Sequence, residues 1–241
     1  MLRVLRRPVL TRILLGALVI ATPAIAQGVP REITLAYNVT RAGVSIAIIH
    51  ERFEAGEGAF HITSHSNAVG LFALFQPRPA RFSSSGRMGE RGLQPEHFEA
   101  GRGPDDPRRV AADFDWRHSR LTVRHDGRED TLPLPPGTQD RLSVMYQFMF
   151  IDFAKVRQLE FAMTNGRKLD RYHYSVTPGV EIDTALGRIA TVHLVKRRDP
   201  GDSGTEVWLS PAHAHLPVKM LVTESDGARY EQAIMRLDLR L

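Results

Sequence analysis

An all-β, mainly antiparallel fold is what this sequence predicts: a barrel or strongly curved half-barrel of about ten to twelve strands with one buried helix near residues 139–153. Three observations carry that expectation. Apolar and polar residues alternate with a period of two along most of the chain. Pairs such as Ala-Gly, Asp-Gly and Asn-Gly interrupt the alternation at hairpin spacing. One segment alone switches to helical spacing.

The elements follow in order. Ile33, Leu35, Tyr37 and Val39 alternate with Thr34, Ala36, Asn38 and Thr40, as a half-buried strand requires. Ala42-Gly43 then turns the chain into Val44–Phe53. Ala59–Ser66 and Ala80–Gly86 are weaker candidates, separated by the short apolar run Leu71–Phe75 with Pro77 and Pro79 behind it. GRGPDDPRR, residues 101–109, has the composition of a loop. Val110, Ala112, Phe114 and Trp116 share a face opposite Asp113 and Asp115. Leu121 and Val123 begin the next strand, and Asp126-Gly127 turns it, a pair suited to two successive positive φ angles. Leu159–Met163 leads through Asn165-Gly166 to alternating Tyr172, Tyr174 and Val176. Ile182 and Ile189–Val195 flank Leu186-Gly187. Asp199–Gly204 is a polar turn before Val207-Trp208-Leu209. Leu216–Thr223, Asp226-Gly227 and Tyr230–Leu241 close the chain.

The exception begins at Pro135-Pro136-Gly137. Leu142, Met145, Tyr146, Met149 and Phe153 recur at helical spacing, with Thr138 or Asp140 placed to accept the free N–H groups of a first turn. Val144, Phe148 and Ile151 make the opposite side apolar as well. A helix apolar nearly all round wants burial on several sides, so it is expected to plug the barrel mouth or to lie across the concave sheet face.

Composition narrows the function classes. At 42% hydrophobic and 24% charged, the 241 residues are ordinary globular material. Nineteen Gly and fifteen Pro favour turns over long helices. With no Cys, disulfides, thiolate metal sites, a Cys nucleophile and lipid attachment through an N-terminal Cys are excluded. Residues 1–26 read as an export signal: Arg3, Arg6, Arg7 and Arg12, then the apolar run Ile13–Ala21, then the small-x-small site Ala24-Ile25-Ala26. Cleavage after Ala26 would leave Gln27 first and residues 27–241 as a single β-barrel-like domain in the periplasm, not lipidated and not integral to the membrane. That signal holds four of the Arg residues and no acid, so a net charge of +5 falls to +1 without it, and basicity offers no nucleic-acid reading.

The chain resembles a family of Gram-negative envelope proteins carrying a domain of unknown function. The resemblance lies in the export signal, the opening strand over Ile33–Gly43 and PPGTQDRLSVMYQF at Pro135–Phe148. It continues in Gly166-Arg167-Lys168, ALGRIATVHL at Ala185–Leu194, TEVWLSP at Thr205–Pro211 and LPVKM at Leu216–Met220. Gln139-Asp140-x-Leu142-Ser143 is its most specific element. It implies a periplasmic, mostly antiparallel β protein and brings no catalytic residues. Trp208-Leu209-Ser210-Pro211, Leu216-Pro217-Val218-Lys219 and Asp226-Gly227 are also similar to periplasmic lipoprotein carriers, half-barrels whose concave face holds acyl chains.

No catalytic constellation stands out, and the reading leans towards a protein that is not an enzyme. Gly201-Asp202-Ser203-Gly204 matches a serine-protease nucleophile loop over four residues, but no oriented base accompanies it, and a hairpin turn needs the same residues. His213-x-His215 and the pair His61 and His65 lack a third ligand at metal-site spacing. Asp140 and Ser143 read as helix caps, and Asp113 with Asp115 as the wet face of a strand. No cofactor is implied. The expected function is binding of a lipid-like or apolar envelope ligand in the concavity of a curved sheet. Tyr37, Phe114, Trp116, Tyr172, Tyr174 and Trp208 are candidate lining, with Tyr146 and Met149 from the covering helix. Gly166, Gly187 and Pro217 are expected to shape turns and strand ends. Two other readings compete: an envelope assembly factor that binds another protein, and a hydrolase acting on an envelope polymer.

Overall fold

The computed structural model describes residues 29–76, 78–103, 105–198 and 201–241. The expected signal, with its Ala26-Gln27 junction, lies outside the described residues, as do Pro77, Pro104, Asp199 and Pro200 of the expected loops. The chain forms β1 (Glu32–Arg41), β2 (Val44–Gly56), β3 (Ala59–Ala68), a single helical turn α1 (Phe72–Phe75), β4 (Ala80–Gly89) and β5 (Gly92–Gly101). Next come β6 (Val110–Asp115), β7 (Arg120–His125), β8 (Arg128–Pro133), β9 (Gln139–Asp140), α2 (Ser143–Gln147) and a 3-10 turn at Phe148–Phe150. β10 (Gln158–Thr164), β11 (Leu169–Thr184), β12 (Gly187–Lys196), β13 (Gly204–Ser210), β14 (Leu216–Thr223) and β15 (Arg229–Arg240) complete it.

These strands make one sheet with a simple order, β8-β7-β6-β5-β4-β3-β2-β1-β15-β14-β13-β12-β11-β10-β9. The first and last strands pair at its centre, and two meandering arms run outward from them. Every pairing is antiparallel except the short β9–β10 contact. Tight turns follow the turn chemistry: Ala42-Gly43 and Asp126-Gly127 both take two successive positive φ angles, which matches the right-handed twist of the flanking strands.

The architecture corrects the sequence expectation in three respects. The described strands number fifteen, not ten to twelve. β5 was missed because Pro95 and polar residues hide its alternation; the strand accepts the proline where the β4–β5 register shifts, at Gly86. β8 was missed because its residues are almost all polar or charged. The sheet also does not close into a barrel: among the described residues, no ladder joins β8 to β9. β8 ends the sheet with exposed Arg128, Glu129 and Asp130, a charged edge that discourages further strand pairing. Finally, the helix expected over 139–153 is shorter. Gln139 and Asp140 are extended, five residues are α-helical, and the chain tightens to a 3-10 turn before Ile151.

The two sheet ends nevertheless approach one another. Ser84 of β4 donates to Asp140 of β9, and the Arg167 guanidinium in the β10–β11 turn pairs with Asp126 in the β7–β8 turn. Gly166, at φ 85°, lies so close to Val110 of β6 that an added Cβ would sit 2.7 Å from its Cγ2.

Apolar residues form two buried clusters. The larger joins Ile33, Leu35 and Tyr37 of β1 to Phe53, Ile62, Phe98, Ala112, Leu121 and Val123, and to Trp208, Leu216 and Ile234 of the other arm. The smaller joins Val144, Phe148 and Phe153 to Tyr174, Val176, Val192, Leu194, Val207 and Leu209. Trp208 and its neighbours Val207 and Leu209 point to opposite sides of β13, so this strand is buried on both faces. The α2 region contributes Leu142 and Tyr146 to the first cluster and Val144 and Phe148 to the second. Its all-round apolar character is thereby used up.

Gly86 offers a test of the bulge. An added Cβ would lie 2.2 Å from the Gln94 carbonyl oxygen, whereas at Gly56 it would meet nothing within 4 Å. Gly86→Ala is expected to lose about 1–3 kcal/mol in urea unfolding, the usual cost of an overpacked site. Gly56→Ala should be neutral or slightly stabilising. Equal midpoints for the two variants would contradict the bulge geometry.

Candidate functional site

The segment Pro135–Gln147 builds a buried polar clamp. Gly137 takes φ 75°, and the Thr138 hydroxyl donates to the Pro135 carbonyl at 2.7 Å, which turns the chain inward. Gln139 and Asp140 then run parallel to Met163 and Thr164 of β10. Thr138, Gln139, Asp140 and Ser143 are all buried.

Asp140 collects three donors from different parts of the chain. Its Oδ1 accepts from the Leu142 and Ser143 amides, each at 2.8 Å, and its Oδ2 accepts from Ser84 Oγ at 2.6 Å. Ser143 Oγ in turn accepts from the Asp140 amide at 3.0 Å, a reciprocal arrangement that starts α2. Burial pushes the Asp140 carboxyl above its ordinary range, against the lowering effect of these hydrogen bonds.

Two glutamines grip β5 at one residue. Gln139 Nε2 donates to the Leu93 carbonyl at 2.9 Å, and Gln147 Oε1 accepts from the Leu93 amide at 2.6 Å. Gln147 Nε2 also reaches the Arg91 carbonyl at 3.1 Å. The Gln147 amide occupies the space a side chain at Gly92 would need. Gln139 Oε1 is buried with no hydrogen-bond partner among the described residues.

Beyond the clamp lies a carboxyl on an otherwise apolar face. Glu51 of β2 sits in register between Leu35 of β1 and Ser64 of β3. Its oxygens accept from Ser64 Oγ at 3.2 Å and Tyr146 OH at 3.1 Å. The Tyr146 ring stacks on Phe53 with centroids 5.1 Å apart. Desolvation raises the Glu51 carboxyl, with smaller opposing contributions from these hydrogen bonds and from the Arg141 charge. The Arg141 guanidinium lies over the Phe82 ring at 5.2 Å. Burial likewise pushes Tyr37 and Tyr146 well above the ordinary phenol range. Tyr37 OH donates to the Pro217 carbonyl at 2.9 Å, which ties the centre of the sheet to the start of β14.

The aromatic residues expected to line a cavity are distributed as follows. Tyr37, Phe114, Tyr146 and Trp208 are buried in the larger cluster, and Trp116 and Met149 pack at its margin. Trp116 Nε1 donates to the Pro95 carbonyl at 2.6 Å. Tyr174 is buried in the smaller cluster, and half-buried Tyr172 packs beside it through Phe161. Trp208 stacks on His193 at 4.3 Å, with Lys219 Nζ above its ring at 5.4 Å. Tyr37 and Tyr146 share one polar neighbourhood, around Glu51. Gly187 takes φ 101° in the β11–β12 turn, and Pro217 supplies the carbonyl that Tyr37 uses.

Other sequence candidates are held by nearby partners. Asp113 pairs with His97 at 2.6 Å and with Arg124, while Asp115 pairs with His118 and Arg120. His213 Nδ1 is hydrogen-bonded to Ser210 Oγ at 2.8 Å. One open groove is polar, lined by Lys168, Arg171, Tyr172, Lys196, Arg197 and Asp202. Sequence reasoning missed Glu51, Ser64, Ser84 and Gln147. Glu51 had a readable signal, an acid at an inward position between Ile49 and Phe53. The serines had none, since their role depends on which strands meet.

Two predictions follow from the buried carboxyls. Asp140→Ala strands three donors at about 1–3 kcal/mol each, so a loss of at least about 3 kcal/mol in chemical unfolding is expected. A loss below 1 kcal/mol would contradict the clamp. Glu51 has a higher pKa folded than unfolded, so the folded chain binds its proton more tightly. Its contribution to stability therefore rises as pH falls from the raised value towards the ordinary carboxylate range, and is lost as pH rises again. Glu51→Gln removes that dependence: its stability relative to wild type should be greatest near neutral pH and diminish in mild acid. A pH-independent difference between the two would count against the raised carboxyl.

Comparison with known proteins adds the following. The model of a family described as protein of unknown function (DUF3108) matches residues 32–233. No protein among the curated ones matches. Similar solved structures include a candidate lipoprotein from Parabacteroides distasonis ATCC 8503, 9% identical, which covers 87% of this chain and 97% of that one at a TM-score of 0.36. A candidate exported protein with YmcC-like fold from Bacteroides fragilis NCTC 9343 is 12% identical, covering 87% and 96% at a TM-score of 0.36.

Proposed function

The chain belongs to the DUF3108 family, and from that premise we propose that it is a non-enzymatic periplasmic protein that holds a lipid-like or apolar envelope ligand on the inner face of a curved, half-barrel sheet. The observation that carries this reading is a change in filling along one face. In β1 to β3 the inward positions Ile33, Leu35, Phe53, Ile62 and Ser64 are buried. The next inward positions, Val39, Ala47, Ile49, Ser66 and Ala68, are only half-buried. They are in register with one another, and Val39 continues across β15 through Gln232 to Met220 of β14. Val39, Ala47 and Ala68 are smaller than the side chains below them, which supports a place for a ligand at this end of the face.

The floor of this region supplies polar groups at its edge. Glu51 and Tyr146 offer an acceptor and a hydroxyl, and Arg141 a cation over Phe82. A mostly apolar surface with a few convergent polar groups is the usual composition of a small-molecule site. The long axis of an acyl-like ligand would lie along Ala47, Ala68 and Val39, with its polar end towards Glu51 and Arg141.

The test is mass spectrometry of protein recovered from the periplasm under mild conditions. Wild type is expected to show a native mass excess that organic solvent removes, and Ala68→Trp, which fills the region between β2 and β4, should lose most of it while keeping its circular dichroism. A clean apo mass for wild type, or equal excess in both proteins, would overturn the reading.

A further inference from the structure

The turn between β3 and β4 is built inside out. Leu71, Leu74 and Phe75 are 77%, 77% and 83% exposed, and Phe72 is 40% exposed. Over one helical turn these four positions fall on one arc, and the small Ala73 faces the protein. An amphipathic turn packed for its own fold would do the reverse, placing Leu and Phe inward and the small residue out. Nearly half of the described large apolar residues that are exposed lie in these five positions. Val44, the first residue of β2, is 59% exposed, and the Val69 amide ties the β3–β4 connection to β2 through the Ile46 carbonyl at 3.0 Å.

The surroundings of this tip are cationic. Arg78 and Arg81 are exposed on the segment that leads from it into β4, and Arg41 is exposed at the end of β1, its guanidinium 5.4 Å from the Tyr230 ring centroid. No Asp or Glu occurs between Asn38 and His50 or between Ser66 and Gly89. The adjacent β5–β6 loop holds the base of the tip: Arg102 donates to the Arg78 carbonyl and to Gln76 Oε1, both at 2.8 Å. That loop also contains Asp105, which is exposed, and Asp106, which accepts from the Arg102 and Arg108 amides.

We propose that Leu71–Phe75 is a membrane-docking tip that inserts its Leu and Phe side chains into the surface of a bilayer bearing anionic phospholipids, with Arg41, Arg78 and Arg81 against the headgroups. Apolar side chains at the headgroup boundary and basic residues beside them are the two components of reversible surface binding. The cations favour a lipid surface over an apolar groove on a protein. This inference is independent of the ligand reading, since docking needs only the tip and ligand retention only the sheet face.

The experiment is co-sedimentation of the purified chain with vesicles of phosphatidylethanolamine and phosphatidylglycerol, and with vesicles of phosphatidylcholine alone. Wild type is expected to bind the anionic vesicles, more weakly in high salt, and to bind phosphatidylcholine poorly. The double variant Leu74→Asp with Phe75→Asp should reduce the partition at least about tenfold, with unchanged circular dichroism and an unchanged native ligand mass. Arg78→Glu with Arg81→Glu should abolish the preference for anionic lipid. In Phe75→Trp, the emission should shift to the blue when anionic vesicles are added. Failure of wild type to bind either vesicle, or equal binding by wild type and the double aspartate variant, would overturn the proposal. So would a wild-type dimer in sedimentation that the same double variant dissolves, which would assign the tip to self-association.

Discussion

The Asp140 carboxylate is the point on which the arrangement of the two arms depends. It accepts from Ser84 on one arm and from the start of α2 on the other. A buried carboxylate without such partners would be expelled or neutralised, because its desolvation is not otherwise compensated. The sheet order leaves β4 and β9 separated by nine intervening strands, so no ladder brings them together. Side-chain hydrogen bonds do, and the two glutamines on Leu93 extend the same contact to β5.

This clamp explains why a fifteen-stranded sheet needs no closure. One arm ends in charged β8, and the other ends in two-residue β9, whose polar groups are taken by β10, Ser84 and α2. The segment after β9 then fills the space between the arms. Tyr146 stacks on Phe53 while Val144 and Phe148 pack against Leu194 and Val207. A short helix buried on both sides gains most of its stability from that packing rather than from intrinsic helix propensity.

The same placement separates the parts assigned to stability from those assigned to binding. Where the clamp covers the sheet, large side chains are fully buried. Where it does not reach, towards Val39, Ala47 and Ala68, the face is small, apolar and half-open. Further along the same strands lies the exposed Leu71–Phe75 turn, in a setting of arginines. In the proposed scheme, the open face receives an apolar ligand and the tip brings that end of the molecule to a lipid surface.

Much of this was legible in the residues. Alternation over Ile33–Val39 and the Ala42-Gly43 and Asp126-Gly127 turns specify antiparallel hairpins through local sterics, which need no distant partner. The all-round apolar pattern from Leu142 to Phe153 specified burial on several sides. The interior position of Glu51 was also present in the alternation, as an acid between Ile49 and Phe53. The tertiary structure alone decided the rest. Pro95 enters a strand because Gly86 opposite it permits a bulge, and the helical period stops at Gln147 because the chain is already held at Asp140, Ser143 and Leu93. Whether the sheet closes, and which serine meets which carboxylate, depends on twist and bulges accumulated over fifteen strands. Local sequence sets each hairpin, but the small rotation between successive strands adds up over the whole sheet, and only the assembled molecule fixes that sum.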